Sequence, residues 1–409
     1  KGVSNMRTYD FDKVVDRTQF YSAKWSIGQE LIKMGYTEKY DENTISVFTA
    51  DMDFECPDAM KEACHKVADH NIYGYCWLTE DNCDYFPALI NWFKTKYDWE
   101  FKYEEVTYVP STIDAIKFAL ECLTQPGDQV VLNEPIYSPF MGAIRKTGRV
   151  LVNSELVNDG EGYYTIDFED MEKKLSDDKT TCFILCNPHN PTGRVWNDEE
   201  LKKLADMCRR NNVMIIADEI HGDLCRMATS FHPIAKVCGP QGIVTMTSQN
   251  KTFNMAGLGV CNVVIQDEEL NKKYQDYVGF IMPNPFTIAA SIAAYKEGDE
   301  WLQQLREYLD GTIDWTMNFL KENMPKVKVA RPEGTYFLWM DFREYGLTPK
   351  EIHDKIYLDA NVIMEDGEGF STECGYGFQR ICLSTRRSMI QEAFTRIAKA
   401  FEIKIGMSF

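Results

Sequence analysis

The run Thr181-Cys-Phe-Ile-Leu-Cys186 gives the strongest indication of the fold, because it is a continuous apolar stretch of strand length that ends in the turn Asn187-Pro-His-Asn-Pro-Thr-Gly193. Four further runs have the same character: Gln129-Val-Val-Leu-Asn133, Val213-Met-Ile-Ile-Ala217, Ile243-Val-Thr-Met-Thr247 and Cys261-Asn-Val-Val-Ile265. Strands that are buried on both faces are continuously apolar rather than alternating, which is typical of parallel sheets. All five runs are therefore predicted to be buried strands of a parallel sheet.

A helix is predicted between the strand at residues 181–186 and the strand at residues 213–217. Asn197-Asp-Glu-Glu200 has the spacing of a capping box, and apolar residues recur behind it at helical spacing: Leu201, Leu204, Ala205 and Cys208. Parallel strands need such crossover connections. The stretch from about residue 105 to 265 is therefore typical of βαβ units with helices on both faces of the sheet.

Beyond about residue 290 the pattern changes. A long helix is predicted around Trp301, Leu302, Leu305, Leu309 and Trp315, then strands at residues 334–341 and 378–383 and a terminal helix from about Ser388. This is the pattern of a smaller α+β domain. We expect a large domain at residues 49–289, and a small domain at residues 290–409 joined by residues 1–48, which pack on it or on a partner subunit.

Charge and composition exclude several classes of protein. The 409 residues contain 63 acidic side chains against 44 Lys and Arg, a formal charge of −19 that would repel nucleic acids and anionic membranes. No apolar stretch approaches the roughly 18 to 20 residues that span a bilayer. The N-terminal residues lack a secretory signal, and the 13 cysteines show no Cys-x-x-Cys spacing, so we expect a cytoplasmic protein with reduced thiols.

Polar side chains follow the predicted strands at the edge where an open parallel sheet binds its ligands. They lie at residues 110–114, 187–193, 218–221 and 248–254. Taken singly, each has a simpler interpretation, such as a turn, a helix cap, a structural histidine or a solvated lysine. A metal site of Asp218, Glu219, His221 and Asp223 is disfavoured, because strand alternation sends Asp218 and His221 to opposite faces. Their convergence in one crevice instead favours a cofactor site.

Pyridoxal 5′-phosphate (PLP) is the cofactor whose needs match this set. It requires a lysine amine, a carboxylate on its pyridine nitrogen, a donor to its phenolic oxygen and phosphate contacts at a helix N-terminus. Lys251, Asp218 and Asn190 would fill the first three roles. Ser111 and Thr112, at the start of a predicted helix, would bind the phosphate.

Motifs along nearly the whole chain extend this match: Phe11-Asp-Lys-Val-Val-Asp16, Ala50-Asp-Met-Asp-Phe54, Tyr73-Gly-Tyr75, Pro135-Ile-Tyr137, Asn190-Pro-Thr-Gly193, Asp218-Glu-Ile-His221, Lys251-Thr-Phe-Asn-Met-Ala-Gly257 and Phe378-Gln-Arg380. With these motifs the chain resembles the fold type I, class I/II aminotransferase superfamily, and within it the cystathionine β-lyase branch. The resemblance implies an α/β fold: a large domain with a mostly parallel seven-stranded sheet sandwiched by helices, and a small α+β C-terminal domain.

The resemblance also implies roles for individual residues. Lys251 would be the Schiff-base lysine, with Asp218 on the pyridine nitrogen and Asn190 on the phenolic oxygen, where His221 occupies the position of a second ligand. Tyr137 would stack on the ring. Ser111, Thr112 and Ser248 would bind the phosphate. In a homodimer, Tyr75 would reach the phosphate of the partner subunit. Arg380 would bind the substrate α-carboxylate. The alternative for Arg380 is a surface ion pair.

The sequence departs from the family pattern at a few positions near these residues. Asn250 precedes the lysine where a small residue or serine is usual, and Gly259 stands where many aminotransferases have a phosphate-binding arginine. Ile381-Cys382 replaces Leu-Asn, and Arg386-Arg387 is a doublet where one arginine is typical. The glycine agrees with the lyase branch, and the changes leave the substrate side chain open.

The predicted function is that of a PLP-dependent carbon–sulfur β-lyase acting on cystathionine or other cysteine S-conjugates. The expected substrate is therefore an amino acid, and no metal site is predicted. In this mechanism Lys251 removes the α-proton, and Lys251 or Tyr75 protonates the leaving thiolate. An aminotransferase with the same residues is the first alternative. A cofactor-binding regulator is disfavoured because no helix-turn-helix or basic arm flanks the domain. A protein that has lost catalysis would require a Lys251 that cannot form an imine.

Overall fold

The computed structural model describes residues 7–402; residues 1–6 and 403–409, the ends of the predicted small domain, lie outside the described residues. The strands are β1 (Ile45–Ser46), β2 (Val106–Val109), β3 (Gln129–Leu132), β4 (Val150–Asn153), β5 (Val157–Asn158), β6 (Tyr164–Thr165), β7 (Thr180–Cys186), β8 (Met214–Asp218), β9 (Ile243–Thr247), β10 (Cys261–Val264), β11 (Phe337–Asp341), β12 (Val362–Ile363), β13 (Glu365–Asp366) and β14 (Phe378–Cys382).

The helices are α1 (Gly28–Lys33), α2 (Asp58–His70), α3 (Tyr85–Tyr97), α4 (Thr112–Leu123), α5 (Ser138–Lys146), α6 (Phe168–Leu175), α7 (Asp198–Arg210), α8 (Ile234–Cys238), α9 (Gln249–Thr252), α10 (Glu268–Val278), α11 (Pro285–Glu297), α12 (Asp299–Asn323), α13 (Pro349–Asp354) and α14 (Arg387–Ala400). None of the helices within residues 7–402 is long and apolar enough to cross a membrane.

The large sheet has seven strands in the order β2-β10-β9-β8-β7-β3-β4. Strands β9, β8, β7, β3 and β4 pair in parallel, and β10 runs antiparallel to both of its neighbours. The predicted mostly parallel, seven-stranded sheet is therefore confirmed. Strands β2 and β4, at its two edges, were not among the five predicted runs.

The direction predicted for residues 261–265 was wrong, because β10 is antiparallel. Between β9 and β10 the chain forms only the short helix α9 and one 3₁₀ turn, without a crossover helix that would return it to the opposite edge of the sheet. Strand β10 therefore starts where β9 ended and runs back beside it. All residues of β10 are buried, as they would be in a parallel strand at this place, so the composition of β10 does not indicate the strand direction.

Helix layers cover both faces of this sheet. In β7, Phe183 and Leu185 belong to one apolar core, and Cys182, Ile184 and Cys186 to the core on the other face. The predicted crossover helix is α7, where Asn197 Oδ1 accepts from the backbone N–H of Glu200 at 3.0 Å and Glu200 Oε2 accepts from that of Asn197 at 2.9 Å. The capping box read from the sequence is thus confirmed.

The small domain contains four strands beyond residue 290 rather than the predicted two: β11, β14 and β13 form one sheet in that order, and β12 belongs to a second, two-stranded sheet. Strand β11 begins at Phe337 rather than at 334, because the backbone N–H groups of Glu333 and Gly334 are bonded to the carbonyl of Gly193 in the large domain. Strand β1 of the N-terminal part pairs in parallel with β12 of this region. Helix α12 contributes to both cores: its first half packs in the large domain and its second half in the small one.

Candidate active site

Neighbouring strands bring the predicted residues to one edge of the sheet. Asp218 is the last residue of β8 and is paired in register with Cys186, the last residue of β7. Asn190 lies in the turn after β7, and Lys251 lies in α9 directly after β9. These carboxyl ends of adjacent parallel strands form the crevice in which α/β sheets bind ligands.

Lys251 is held at the bottom of this crevice. Its Nζ donates to the carbonyl of Ala50 at 3.0 Å. The next residue, Thr252, donates to Asp223 Oδ2 at 2.9 Å, which ties α9 to the loop after β8. Burial, helped by the positive charge of Arg380, lowers the pKa of the Lys251 amine, so that its neutral form is favoured.

Asp218 and His221 are both buried beside Lys251. Burial raises the pKa of Asp218 to about 7, and a backbone N–H from Ile220 and the charge of Lys251 act against this rise. Burial and the charges of Lys251 and Arg380 lower the pKa of His221 well below its usual value, so the imidazole is neutral. Its buried Nδ1 has no hydrogen-bond partner within residues 7–402.

Arg380 lies on β14 and reaches across from the small domain. It is 1% exposed, and its Nη1 donates to Asn190 Oδ1 at 2.7 Å. The guanidinium lies between the rings of Phe337 and Phe370, with centroid distances of 4.1 and 4.7 Å. Arg380 is therefore buried rather than on the surface, and its ion-pair partner is the partly exposed Glu365. The bond from Arg380 also leaves the amide NH₂ of Asn190 to donate to a ligand.

Tyr137 lies at the start of α5 in the same crevice. Burial raises the pKa of its phenol, which also experiences the charges of Arg380 and Asp218. The neighbouring Ile136 donates its backbone N–H to the carbonyl of Phe370 at 3.0 Å, so this loop is fixed to the small domain.

The predicted phosphate residues lie at two helix starts. Ser111 caps α4, a helix of 12 residues that starts at Thr112, and accepts from the backbone N–H of Asp114 at 3.3 Å. Ser248 caps α9, but its hydroxyl donates to the carbonyl of Val260 at 2.5 Å. The N-terminus of α4 is therefore suited to an anion, whereas the hydroxyl proton of Ser248 is already used to close the loop.

The departures from the family pattern have structural reasons. Asn250 Oδ1 accepts from the backbone N–H of Val260 at 3.1 Å, so it closes the same loop as Ser248. Gly259 has φ +69°, and a Cβ there would lie 3.0 Å from the carbonyl oxygen of Pro110. An arginine at position 259 would therefore be strained. Cys382 is buried, with its Sγ 2.9 Å from Ser384 Oγ.

The structure does not bring Tyr75 into this crevice. The side chain is fully exposed, in a segment whose neighbours Tyr73 and Trp77 are also more than half exposed. It lies between α2 and α3 and has no bond to the site residues of its own chain.

Two site residues have no signal in the sequence. Glu365 on β13 lies directly across from Arg380 and forms an ion pair with its Nη2. Tyr336 is fully buried, and its hydroxyl donates to the carbonyl of Ala50 at 3.3 Å, the same oxygen that binds Lys251. Both contacts join segments that are distant in the chain or set by strand pairing, so a motif search could not reveal them.

Comparisons with known proteins agree with this geometry. The family profile "Aminotransferase class I and II" matches residues 49–397. The chain is 35% identical to "Cystathionine beta-lyase PatB" of Bacillus subtilis (strain 168), over 96% of this chain and 99% of the relative.

Solved structures give the same result. A PLP-bound putative aminotransferase from Clostridium difficile 630 superimposes with a TM-score of 0.90 and 36% identity, covering 96% of this chain and all of that one. A PLP-bound C-S lyase from Staphylococcus hominis gives a TM-score of 0.87 and 32% identity, covering 96% and 98%. The predicted family resemblance and fold class are confirmed.

Proposed function

The chain belongs to the class I and II aminotransferase family, and we propose that it is a PLP-dependent carbon–sulfur β-lyase. Its proposed substrates are cystathionine or other cysteine S-conjugates, which β-elimination followed by hydrolysis with one water converts to pyruvate, ammonia and a thiol. The observation that carries this proposal is the 35% identity with the B. subtilis cystathionine β-lyase, because the match extends over nearly the whole of both sequences.

The buried polar groups of the crevice fit PLP. Asp218 is a buried carboxylate, and a protonated pyridine nitrogen would supply the opposite charge that offsets the cost of its burial. The unpartnered Nδ1 of His221 and the amide NH₂ of Asn190 can face the phenolic oxygen. We assign Lys251 to the aldehyde carbon, Tyr137 to the ring face, and Ser111, Thr112 and the backbone at Ser248 to the phosphate.

When bound, PLP withdraws electrons from the α-carbon of the amino acid and thereby makes its proton acidic. Lys251 takes this proton, because burial favours its neutral, basic form. Arg380 binds the α-carboxylate and so turns the Cα–H bond towards Lys251. Asp218 holds the proton on the pyridine nitrogen, and Lys251 or Tyr75 of a second copy donates a proton to the departing thiolate.

We propose that the working unit is a homodimer in which Tyr75 reaches the phosphate site of the second copy. The full exposure of Tyr75, and the exposure of more than half of its neighbours Tyr73 and Trp77, support this, because exposed apolar side chains that lie together are typical of an interface. We also propose a cytoplasmic location. All 13 cysteines are without a disulfide among residues 7–402, as in reducing compartments.

An aminotransferase remains the second candidate, since the C. difficile structure carries that description. The two reactions share every residue above and differ in where the proton goes after Lys251 has taken it. In an aminotransferase it returns to the cofactor rather than assisting loss of the thiolate.

The deciding experiment is a product assay on the PLP-loaded enzyme. Cystathionine and S-methylcysteine should release pyruvate and free thiol without any keto acid. Conversion of the intact substrate to its 2-keto acid, with a keto-acid acceptor required and no thiol released, would instead establish the aminotransferase. The variant Lys251→Ala is the control, with a rate lower by about 10⁴-fold, which ties the products to this site.

A further inference from the structure

The guanidinium of Arg380 is already engaged by a carboxylate of its own chain. Glu365 pairs with Nη2, and the carbonyl of Phe48 accepts from the same nitrogen at 3.4 Å. Asn190 accepts from Nη1. The buried Nε has no partner within residues 7–402.

These contacts occupy the nitrogen that a second carboxylate needs. A carboxylate binds a guanidinium with two bonds either along Nε and Nη2 or along Nη1 and Nη2. Both arrangements use Nη2, and its two N–H groups face Glu365 and Phe48. A bidentate grip on another carboxylate therefore requires one of these two acceptors to leave. The carbonyl of Phe48 belongs to the backbone, so Glu365 is the acceptor that can move.

The two partners differ in their freedom to move. Arg380 is 1% exposed and lies between the rings of Phe337 and Phe370, so its plane is fixed. Glu365 is 26% exposed, so its carboxylate can turn into water. Two carboxylates on one guanidinium also repel each other. Glu365 is therefore the group that yields.

We propose that Glu365 is an internal counter-ion that occupies Arg380 in the resting enzyme and is displaced by the α-carboxylate of the substrate. It is a specificity-determining residue: it holds the buried guanidinium in place, and it admits only ligands whose carboxylate competes with its own. This proposal rests on the role proposed above for Arg380, but not on which reaction follows.

The test measures binding without turnover. The probe is 3-(methylthio)propionate, which has the carboxylate of S-methylcysteine but no amino group, titrated calorimetrically into the PLP-loaded enzyme. Glu365→Gln keeps the shape and removes the charge, so its Kd should be lower than that of the wild type by about tenfold. The uncharged 3-(methylthio)propanamide should bind both proteins equally.

Two further variants make the result decisive. Asp366→Asn is the matched control, because this neighbouring carboxylate contacts His353 at 2.8 Å and Gln379 at 2.5 Å rather than Arg380; its Kd should not change. Glu365→Asp, one methylene shorter, should tighten binding by a smaller factor. Unchanged or weaker binding of the propionate in both Glu365 variants would overturn the proposal, whereas failure of the lyase assay alone would leave it intact.

Discussion

At the scale of single residues, burial shifts the ionisable groups of the site towards their neutral forms. It raises the pKa of Asp218 to about 7 and lowers the pKa values of Lys251 and His221. A neutral amine accepts a proton, and a neutral imidazole keeps one nitrogen as donor and one as acceptor. In the proposed mechanism, this neutral amine of Lys251 is the base that takes the α-proton.

Glu219, next to Asp218, predicts a pH dependence of stability. Its Oε1 accepts from the backbone N–H of Ile234 at 2.8 Å, and burial raises its pKa to about 8. In the unfolded chain the pKa of Glu219 is near 4.5. Between that pH and about 8 the folded protein therefore binds a proton that the unfolded chain does not, so the free energy of unfolding falls as pH rises through this window. Glu219→Gln abolishes the titration. It should be more stable than the wild type by about 3 kcal/mol at pH 8.

The measurement is urea unfolding of both proteins at pH 5, 6.5 and 8. The difference in unfolding free energy should grow with pH and vanish near pH 5. Glu297→Gln, which changes an exposed carboxyl group, is the control and should show no such trend. A constant difference at all three pH values would contradict the prediction.

At the scale of the element, local sequence sets where α7 begins. Asn197→Ala removes the acceptor for the N–H groups of Glu199 and Glu200 and should lower the unfolding free energy by about 1 kcal/mol. Asn197→Asp retains an acceptor at the same place and should cost much less. Denaturant unfolding of the two variants checks this, and equal losses would show that the cap does not stabilise the helix.

At the scale of the whole molecule, the proposed dimer completes the site. Tyr75→Phe removes only a hydroxyl, so it should weaken PLP binding about tenfold, as expected for one hydrogen bond to a charged phosphate, while sedimentation still shows a dimer. Tyr73→Phe is the matched control. Tyr73 is also exposed, but its ring stacks on Phe286 of its own chain at 5.7 Å, so cofactor affinity should not change.

A monomer in solution, or equal PLP affinities for the wild type and Tyr75→Phe, would contradict this prediction.

The division into residues 49–289 and residues 1–48 with 290–409 also stays a prediction. Helix α12 is shared by the two cores, through Trp301 and Leu305 in one and Ile313 and Leu320 in the other. A movement of one domain relative to the other would therefore have to bend α12 or move it as a rigid unit with one of the domains.

The local features and the family could be predicted from the amino-acid sequence alone. Apolar runs located five of the seven strands, the spacing from Asn197 to Glu200 located a helix start, and the motifs around Asp218 and Lys251 identified the cofactor. Each of these depends on residues close together in the chain, or on residue types that one chemistry requires. Such information is present in the order of amino acids.

Features that depend on pairing between distant segments became visible in the folded chain. They include the antiparallel direction of β10, the ion pair of Glu365 with Arg380, the use of the Ser248 hydroxyl to close its own loop, and the exposure of Tyr75. A buried strand has a similar composition whether it is parallel or antiparallel, and the sequence does not distinguish a glutamate on the surface from one beside a buried arginine. Strand register and domain packing, which fix these contacts, arise only when the whole chain has folded.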